Sequence, residues 1–409
     1  MRSADVVVVG AGPAGAAAAV TLARAGREVV VVDKARFPRD KICGDGLTAG
    51  ALRLLEDLGL DPGAVPSWQR VDDVVVRGPS GHEVTFPLPR ERGTYAAVAR
   101  RTDLDAALVE LARAAGAKVL DGHACTGVAE GDGEVTATVD GVGDVSAAFL
   151  VAADGMWSPV RKHLGLATPG YRGEWHAFRQ YFTDVGPRAA SDLVVWFEPD
   201  LLPGYAWSFP LPGNRANVGF GIQRGGKVAR VQDMAAIWPE LLARPHVRAV
   251  LGEAARPESP HRAWPIPARI DAAVLTGRRT MFVGDAATAT DPMTGEGIGQ
   301  ALLTGVLAAE AALDHGPDAA AVTGTYRAAA TRALVADHKM STLLIRAVRH
   351  RKGVRIGLRL AGATAWTRRN FGRWLFEDYP RALVVTPRRW HRGMFTGPGA
   401  YGADRRAPT

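Results

Sequence analysis

Asp5-Val6-Val7-Val8-Val9-Gly10-Ala11-Gly12-Pro13-Ala14-Gly15 stands near the start of the chain, and its reading decides the fold. Four valines behind one acid make a buried strand. Gly10, Gly12 and Gly15 follow in the Gly-x-Gly-x-x-Gly spacing, and an alanine-rich helical stretch runs on to about Ala25. Glu28-Val29-Val30-Val31-Val32 is a second apolar run, ended by Asp33. Strand, glycine turn, helix, strand and acid compose a βαβ unit for an adenine dinucleotide. Gly10 turns the chain sharply off the strand, Gly12 lets backbone approach a pyrophosphate, and Gly15 lets the helix lie close to the sheet. The helix start at Pro13 and Ala14 offers unpaired N–H groups and a positive dipole end to the phosphates. Asp33, followed by Lys34, stands where a carboxylate accepts ribose hydroxyls.

At 409 residues the chain has room for two domains or one elaborated one, and 47% apolar content is ordinary for a globular protein. Two cysteines, Cys43 and Cys125, give no disulfide framework, which fits a reducing cytoplasm. The first residues could pass for a signal peptide, but Asp5 and the glycines speak against it. No uninterrupted apolar run reaches the roughly 18–20 residues that span a bilayer; Ala301–Leu313 is broken by Glu310. The net charge of +8 is concentrated between Arg346 and Arg392, where thirteen Lys/Arg face two acids. Such a patch suits an anionic membrane surface or a solvated face; no recognition motif for nucleic acid accompanies it. The histidines show no paired spacing and there is no CxxC, so no metal site is expected.

Further along, Val71–Val76, a turn at Gly78-Pro79-Ser80-Gly81, and Glu83–Leu88 read as a hairpin that interrupts the nucleotide domain. Leu104, Leu108 and Leu111 share a helix face ending near Gly116, and strands are predicted at Lys118–Leu120, Glu134–Val139 and Val145–Ala152. From about Gly170 to Pro265 short alternating strands predict an antiparallel sheet. Thr280–Val283 is again a buried strand, a long helix follows from Gly297 through Leu313, and the tail from about Thr325 is helical and basic. The last few residues carry no pattern and are expected to be disordered. The fold class is thus α/β: a Rossmann-type unit over 1–70, 90–169 and 266–324, an inserted β-sheet substrate domain over 71–89 and 170–265, and a helical C-terminal region over 325–409.

Tyr205, Trp207 and Phe209 alternate on one strand and so share a face; after a turn at Pro212-Gly213-Asn214, Gly219 and Gly221 share a face of the next strand. Paired, they give an aromatic wall beside a strip without side chains, with room for a long apolar ligand. The plainer reading makes the aromatics core and the glycines relief of crowding.

The fingerprint, Ala153-Asp154-Gly155 with Ser158 and Arg161, and Gly284-Asp285 before a glycine-rich helix start together resemble the group-A flavin monooxygenase, or glutathione-reductase-like, FAD fold. Lys41-Ile42-Cys43-Gly44-Asp45-Gly46-Leu47, Asp291-Pro292-Met293-Thr294-Gly295-Glu296-Gly297-Ile298, and Tyr205-Ala206-Trp207-Ser208-Phe209-Pro210 followed by Gly219-Phe220-Gly221 look like the geranylgeranyl reductase family. The resemblance spans most of residues 5–315. It implies FAD held by Gly10, Gly12, Pro13, Ala14, Gly15, Asp33, Lys34, Cys43, Gly44, Arg101, Asp154, Gly155, Gly284, Asp285, Gly295, Gly297 and Ile298. Arg100 next to Arg101 leaves that contact open by one position. It implies a prenyl chain lined by Tyr205, Trp207, Phe209, Gly219 and Gly221. The implied reaction is reduction of an isolated C=C bond in a geranylgeranyl lipid, prenylated quinone or related isoprenoid, with hydride from FAD N5. Cys43 is a candidate proton donor or redox partner, or a small buried side chain. Glu296 is a candidate proton donor, or a stabiliser of the helix start. With no second dinucleotide fingerprint, NAD(P)H or a protein electron donor is expected to dock transiently.

The competing expectation is an FAD monooxygenase or halogenase acting on an aromatic natural product. Only Trp264-Pro265-Ile266-Pro267 approaches the Trp-x-Trp-x-Ile-Pro motif of halogenases. A third reading is a flavin-bound membrane-surface binder without catalysis. A cytoplasmic protein with possible peripheral membrane contact is expected; oligomeric state is open.

Overall fold

A computed structural model of the chain describes residues 2–226, 229–390 and 394–402. The expectation for the last residues falls at 403–409, outside the described residues.

The opening strand Arg2–Val9 pairs in parallel with Val29–Asp33 on one side and Gly143–Ala152 on the other, and Lys118–Asp121 extends the first side. Thr280–Phe282 also joins Gly143–Ala152 in parallel, closing the nucleotide sheet with a strand from far along the chain. Val29–Asp33 is buried at every position, as a strand covered on both faces must be. Two antiparallel strands, Val135–Val139 and Cys125–Glu130, complete this seven-stranded sheet; the second has a weak pattern and is not evident from the sequence.

The helix Pro13–Arg24 is alanine-rich because it must be thin. It lies against Ile298–His315, where a Cβ on Gly305 would stand 2.1 Å from the Ala14 carbonyl oxygen. At the turn, Gly10 has φ +103°, and a Cβ there would come within 2.2 Å of the Ala153 carbonyl oxygen. A Cβ on Gly15 would meet the Gly10 oxygen at 1.8 Å. Both glycines are therefore required by the close approach of the helix to the sheet.

The predicted hairpin forms as Asp73–Arg77 and Glu83–Pro87 and joins Leu193–Trp196, Tyr205–Leu211, Arg215–Gln223 and Trp175–Thr183 in an eight-stranded sheet. The predicted pairing is present in register: Tyr205 opposes Gly221 and Trp207 opposes Gly219. A small sheet of Gly46–Thr48, Ala96–Val98 and Gln69–Arg70 bridges the two larger ones.

Helices Ala319–Val348, Arg351–Gly362 and Ala365–Leu375 form the C-terminal layer. The first runs without a break through the domain boundary expected at 324/325: Gly324 stands there, but one glycine among helix-forming neighbours weakens a helix without ending it. The inner faces of the other two, with Leu358, Ala361, Phe371 and Leu375, lie on Val84, Phe86 and Leu88 of the hairpin. The chain then returns to the nucleotide unit: Ala400 and Thr94 exchange backbone hydrogen bonds of 2.6 and 2.9 Å, and Tyr95 donates to the Gly397 carbonyl at 2.7 Å. No helix among the described residues is long and apolar enough to cross a membrane.

Candidate active site

One cavity of about 1040 Å³ runs from the glycine turn to the C-terminal layer. That is at the upper end of small-molecule sites. Its first end is built by Gly12, Pro13, Ala14, Asp33 and Lys34. The helix Pro13–Arg24 has no side-chain cap, so its free N–H groups remain available to an anion. A Cβ on Gly12 would project toward the Arg39 and Arg101 guanidinium groups, 3.5 and 3.8 Å away, rather than into backbone. Asp33 steadies the turn by accepting the Ala11 and Ala35 N–H groups, each at 2.8 Å. This bare cradle beside two cations fits a pyrophosphate.

Asp154, Gly155, Gly284, Asp285, Gly295, Gly297 and Ile298 line the next stretch. Asp154 accepts the Val160 N–H at 2.9 Å and is held above the usual carboxylate range by burial. Ser158 caps the helix Pro159–His163 and Arg161 donates to the Ala286 and Val274 carbonyls, so both brace the wall. Lys41 lies 3.9 Å from Asp285 and over the Trp264 ring, with burial lowering its pKa. The two arginines take different places. Arg101 faces the cavity, clamped by both oxygens of Asp105 at 2.7 Å. Arg100 turns away and pairs with Glu258.

The Cys43–Gly46 loop lies against the aromatic strand. A Cβ on Gly44 or Gly46 would touch the Phe209 ring at 3.4 or 3.3 Å, so the glycines let the loop sit close. Asp45 occupies the left-handed region at φ +65° and is fully buried. Its Oδ2 accepts the Tyr181 hydroxyl at 2.6 Å and the Asn217 amide at 2.8 Å; Asn217 in turn accepts the Trp207 indole N–H at 3.0 Å. The loop is thereby locked to the inserted sheet. Sequence reasoning missed this role: Asp45 lay within a quoted motif, but its partners are over 130 residues away. Burial pushes its pKa up from 3.8 to about 6. A native group that resists ionising contributes fully below its unfolded pKa and loses that contribution as pH rises through the folded one. The shift corresponds to about 3 kcal/mol. Asp45→Asn is therefore expected to remove the fall in stability between pH ~4 and ~6, measured as the melting temperature across that range.

Cys43 lines the cavity, and burial raises its thiol pKa above the ordinary value, which favours the thiol over the thiolate. One assignment needs correction. Gly219 does not line the cavity. A Cβ there would strike the Trp207 ring at 2.4 Å and the Phe178 carbonyl at 2.3 Å, so this glycine makes room for the indole. Gly221 does face the cavity, together with Tyr205, Trp207 and Phe209.

Glu296 lines the cavity at the start of the helix Ile298–His315, with Oε1 accepting the Gly299 N–H at 2.6 Å. Behind it lies Glu377, which accepts Gln300 at 3.1 Å and Arg381 at 3.1 Å. Arg381 also pairs with Asp291 at 3.4 Å and donates to the Thr294 hydroxyl at 3.0 Å. Burial, then the charge of Glu377, raises the pKa of Glu296; burial raises that of Glu377. The pair thus holds a proton at neutral pH. Asp291 shapes the loop by accepting the Met293 and Thr294 N–H groups at 3.0 and 2.9 Å, and Tyr205 donates to the Thr294 carbonyl. The far end of the cavity is roofed by Val348, Val354, Leu358, Phe371, Trp374 and Phe376. The C-terminal region, which carried no motif, therefore closes the site. Among the described residues no group of three or more His, Cys, Asp or Glu could hold a metal ion.

The chain matches the family described as FAD binding domain over residues 3–308. It is 38% identical over 331 residues to a menaquinone reductase of Mycolicibacterium smegmatis, covering 75% of this chain and 76% of that protein. It is 33% identical over 325 residues to digeranylgeranylglycerophospholipid reductase 1 of Methanopyrus kandleri, covering 76% and 80%. In fold it is similar to a geranylgeranyl bacteriochlorophyll reductase-like protein of Thermoplasma acidophilum, with TM-score 0.78, 21% identity, and 95% and 100% of the two chains covered. A flavin-dependent brominase shares the fold at TM-score 0.73 and 21% identity, over 95% and 98% of the two chains. Fingerprint, FAD cradle, aromatic strand pair and these relatives agree: the chain belongs to the geranylgeranyl reductase family of FAD-dependent oxidoreductases.

Proposed function

We propose that this protein reduces isolated C=C bonds in the prenyl tail of a quinone or related isoprenoid lipid. The observation that carries the proposal is the continuity of the cavity, from an anion-binding glycine cradle, past Glu296, to an apolar channel under the C-terminal helices. The names of the bacterial and archaeal relatives support the substrate class. FAD in the cradle would, when reduced, supply the hydride that one alkene carbon needs. Gly10, Gly12 and the helix end would hold its pyrophosphate, Arg39 and Arg101 would balance its charge, and Asp285 would receive sugar hydroxyls. Trp207, Phe209, Leu358 and Trp374 hold the alkene and exclude water. Glu296, with Oε1 tied to Gly299, gives the proton from Oε2 to the other carbon. The resulting carboxylate, beside Glu377, regains its proton from solvent water before the next turnover. NAD(P)H or a protein electron donor restores the reduced cofactor. A substrate of this kind resides in a lipid phase, so the proposal includes a peripheral membrane association.

The test is anaerobic. The holoprotein is reduced with dithionite, mixed with a prenylated quinone or geranylgeranyl diphosphate, and followed by flavin absorbance and lipid mass. Reoxidation with a gain of two hydrogens per bond is expected. No reoxidation until oxygen is admitted, across a panel of prenyl lipids, would overturn the reading in favour of hydroxylation or halogenation.

A further inference from the structure

Of ten exposed large apolar side chains among the described residues, eight lie between Leu343 and Phe395. In the helix Arg351–Gly362 they have a regular place. Val354, Leu358 and Ala361 are buried inward, while Ile356 and Leu360 point outward at 55% and 66% exposure. Arg351, Lys352, Arg355 and Arg359 are exposed on the same helix. Leu343 before it and Trp366 after it are also exposed. From His338 to Phe376 the chain contains no acidic residue. Asp200 lies near Arg351, but an outward face of apolar side chains framed by arginines, on a stretch that carries no carboxylate of its own, is the pattern of a helix in a lipid interface, where long cationic stems reach headgroups around an inserted apolar strip.

A second observation fixes its relation to the cavity. Gly353, Val354, Gly357 and Leu358 line the cavity from beneath this same helix. Gly357 is itself exposed, and a Cβ built on it meets nothing within 4 Å. Gly357 thus belongs both to the cavity wall and to the exposed side of the helix, beside the outward apolar side chains. Resting on the prenyl-lipid reading, we propose that the outer face of Arg351–Gly362, with Leu343 and Trp366, docks on an anionic bilayer and holds the mouth at Gly357 in the acyl region, so that a lipid tail enters without crossing water.

Docking is read without turnover, so it stands or falls separately from the reduction. The FAD-loaded protein is sedimented with phosphatidylcholine vesicles, with and without phosphatidylglycerol. Partitioning onto the anionic vesicles is expected to exceed that onto neutral ones by about tenfold or more, and to weaken with salt. Ile356→Asp/Leu360→Asp and, separately, Arg355→Glu/Arg359→Glu are expected to lose about tenfold or more of that binding while retaining bound FAD. An environment-sensitive fluorophore on Gly357→Cys is expected to shift to the blue on anionic vesicles, with the unsubstituted chain as labelling background, whereas one on Glu110→Cys stays in water. Equal partitioning onto both vesicles, undiminished binding by both double variants, or an aqueous label at 357 would overturn the proposal.

Discussion

Glu296→Gln is expected to lower the rate of alkene reduction by about 10²–10⁴-fold, the usual contribution of a positioned general acid. FAD content and reduction of the flavin by dithionite are expected to be unchanged, because the amide fits the same space and its carbonyl can still accept the Gly299 N–H. The pH profile carries the second half of this prediction. Burial and the neighbouring Glu377 raise the pKa of Glu296, so the acid form persists at neutral pH and the rate falls as pH rises through that raised value. Glu377→Gln removes a negative charge from behind Glu296 and so favours its ionised form. The fall is expected to move to lower pH, with the rate at acid pH preserved. Single-turnover oxidation of the reduced holoprotein by a prenyl lipid, measured from acid to alkaline pH, reads both effects. A rate unaltered in Glu296→Gln would assign the proton to solvent.

Arg381→Met has the largest expected effect on stability. Arg381 is 2% exposed and stands among Asp291, Glu377 and the Thr294 hydroxyl. Removing the cation leaves buried carboxylates uncompensated, which costs about 3–5 kcal/mol. For a chain of this length that is a fall of roughly 4–6 °C in melting temperature. The sign with pH follows from the acids. Without Arg381 the pKa of Glu377, already raised by burial, rises further, so the deficit is largest above neutrality and shrinks as pH falls toward its unfolded value. Glu377→Gln added to Arg381→Met is expected to recover part of the loss. Calorimetry of the single and double variants across pH checks all three statements.

The nucleotide unit was legible because its signals are local. Gly10, Gly12 and Gly15 act within a few residues of each other, and Asp33 closes the unit by bonding to Ala11. The aromatic pair was legible because strand alternation puts Tyr205 and Trp207 opposite Gly221 and Gly219 whatever the rest of the chain does. The same alternation could not tell which glycine stays open: that depends on where the Trp207 ring rotates, and it rotates onto Gly219. Glu377 and Arg381 were illegible for a different reason. In sequence they sit in a basic tail, and only the return of the chain after Ala365–Leu375 sets them behind Glu296. The charge of the tail suggested either a solvated face or a lipid surface, yet Arg373, Arg381 and Arg389 are held in ion pairs with Asp378, Asp291 and Asp337. A count of charges does not reveal which are spoken for.

The strap that returns from the C-terminal layer to Thr94 has a consequence for biosynthesis. The glycine turn begins at Gly10, the parallel strand Thr280–Phe282 completes its sheet, and Arg381 pairs with Asp291 and Glu377 on the cavity wall about 370 residues after that turn. At about 5–20 residues per second, translation leaves the cradle waiting roughly 20–70 s for its last partner. The Val-rich strands exposed in that interval are edges that pair readily with other chains. Recovery of folded protein is therefore expected to depend on how well the nascent chain is sheltered during that interval.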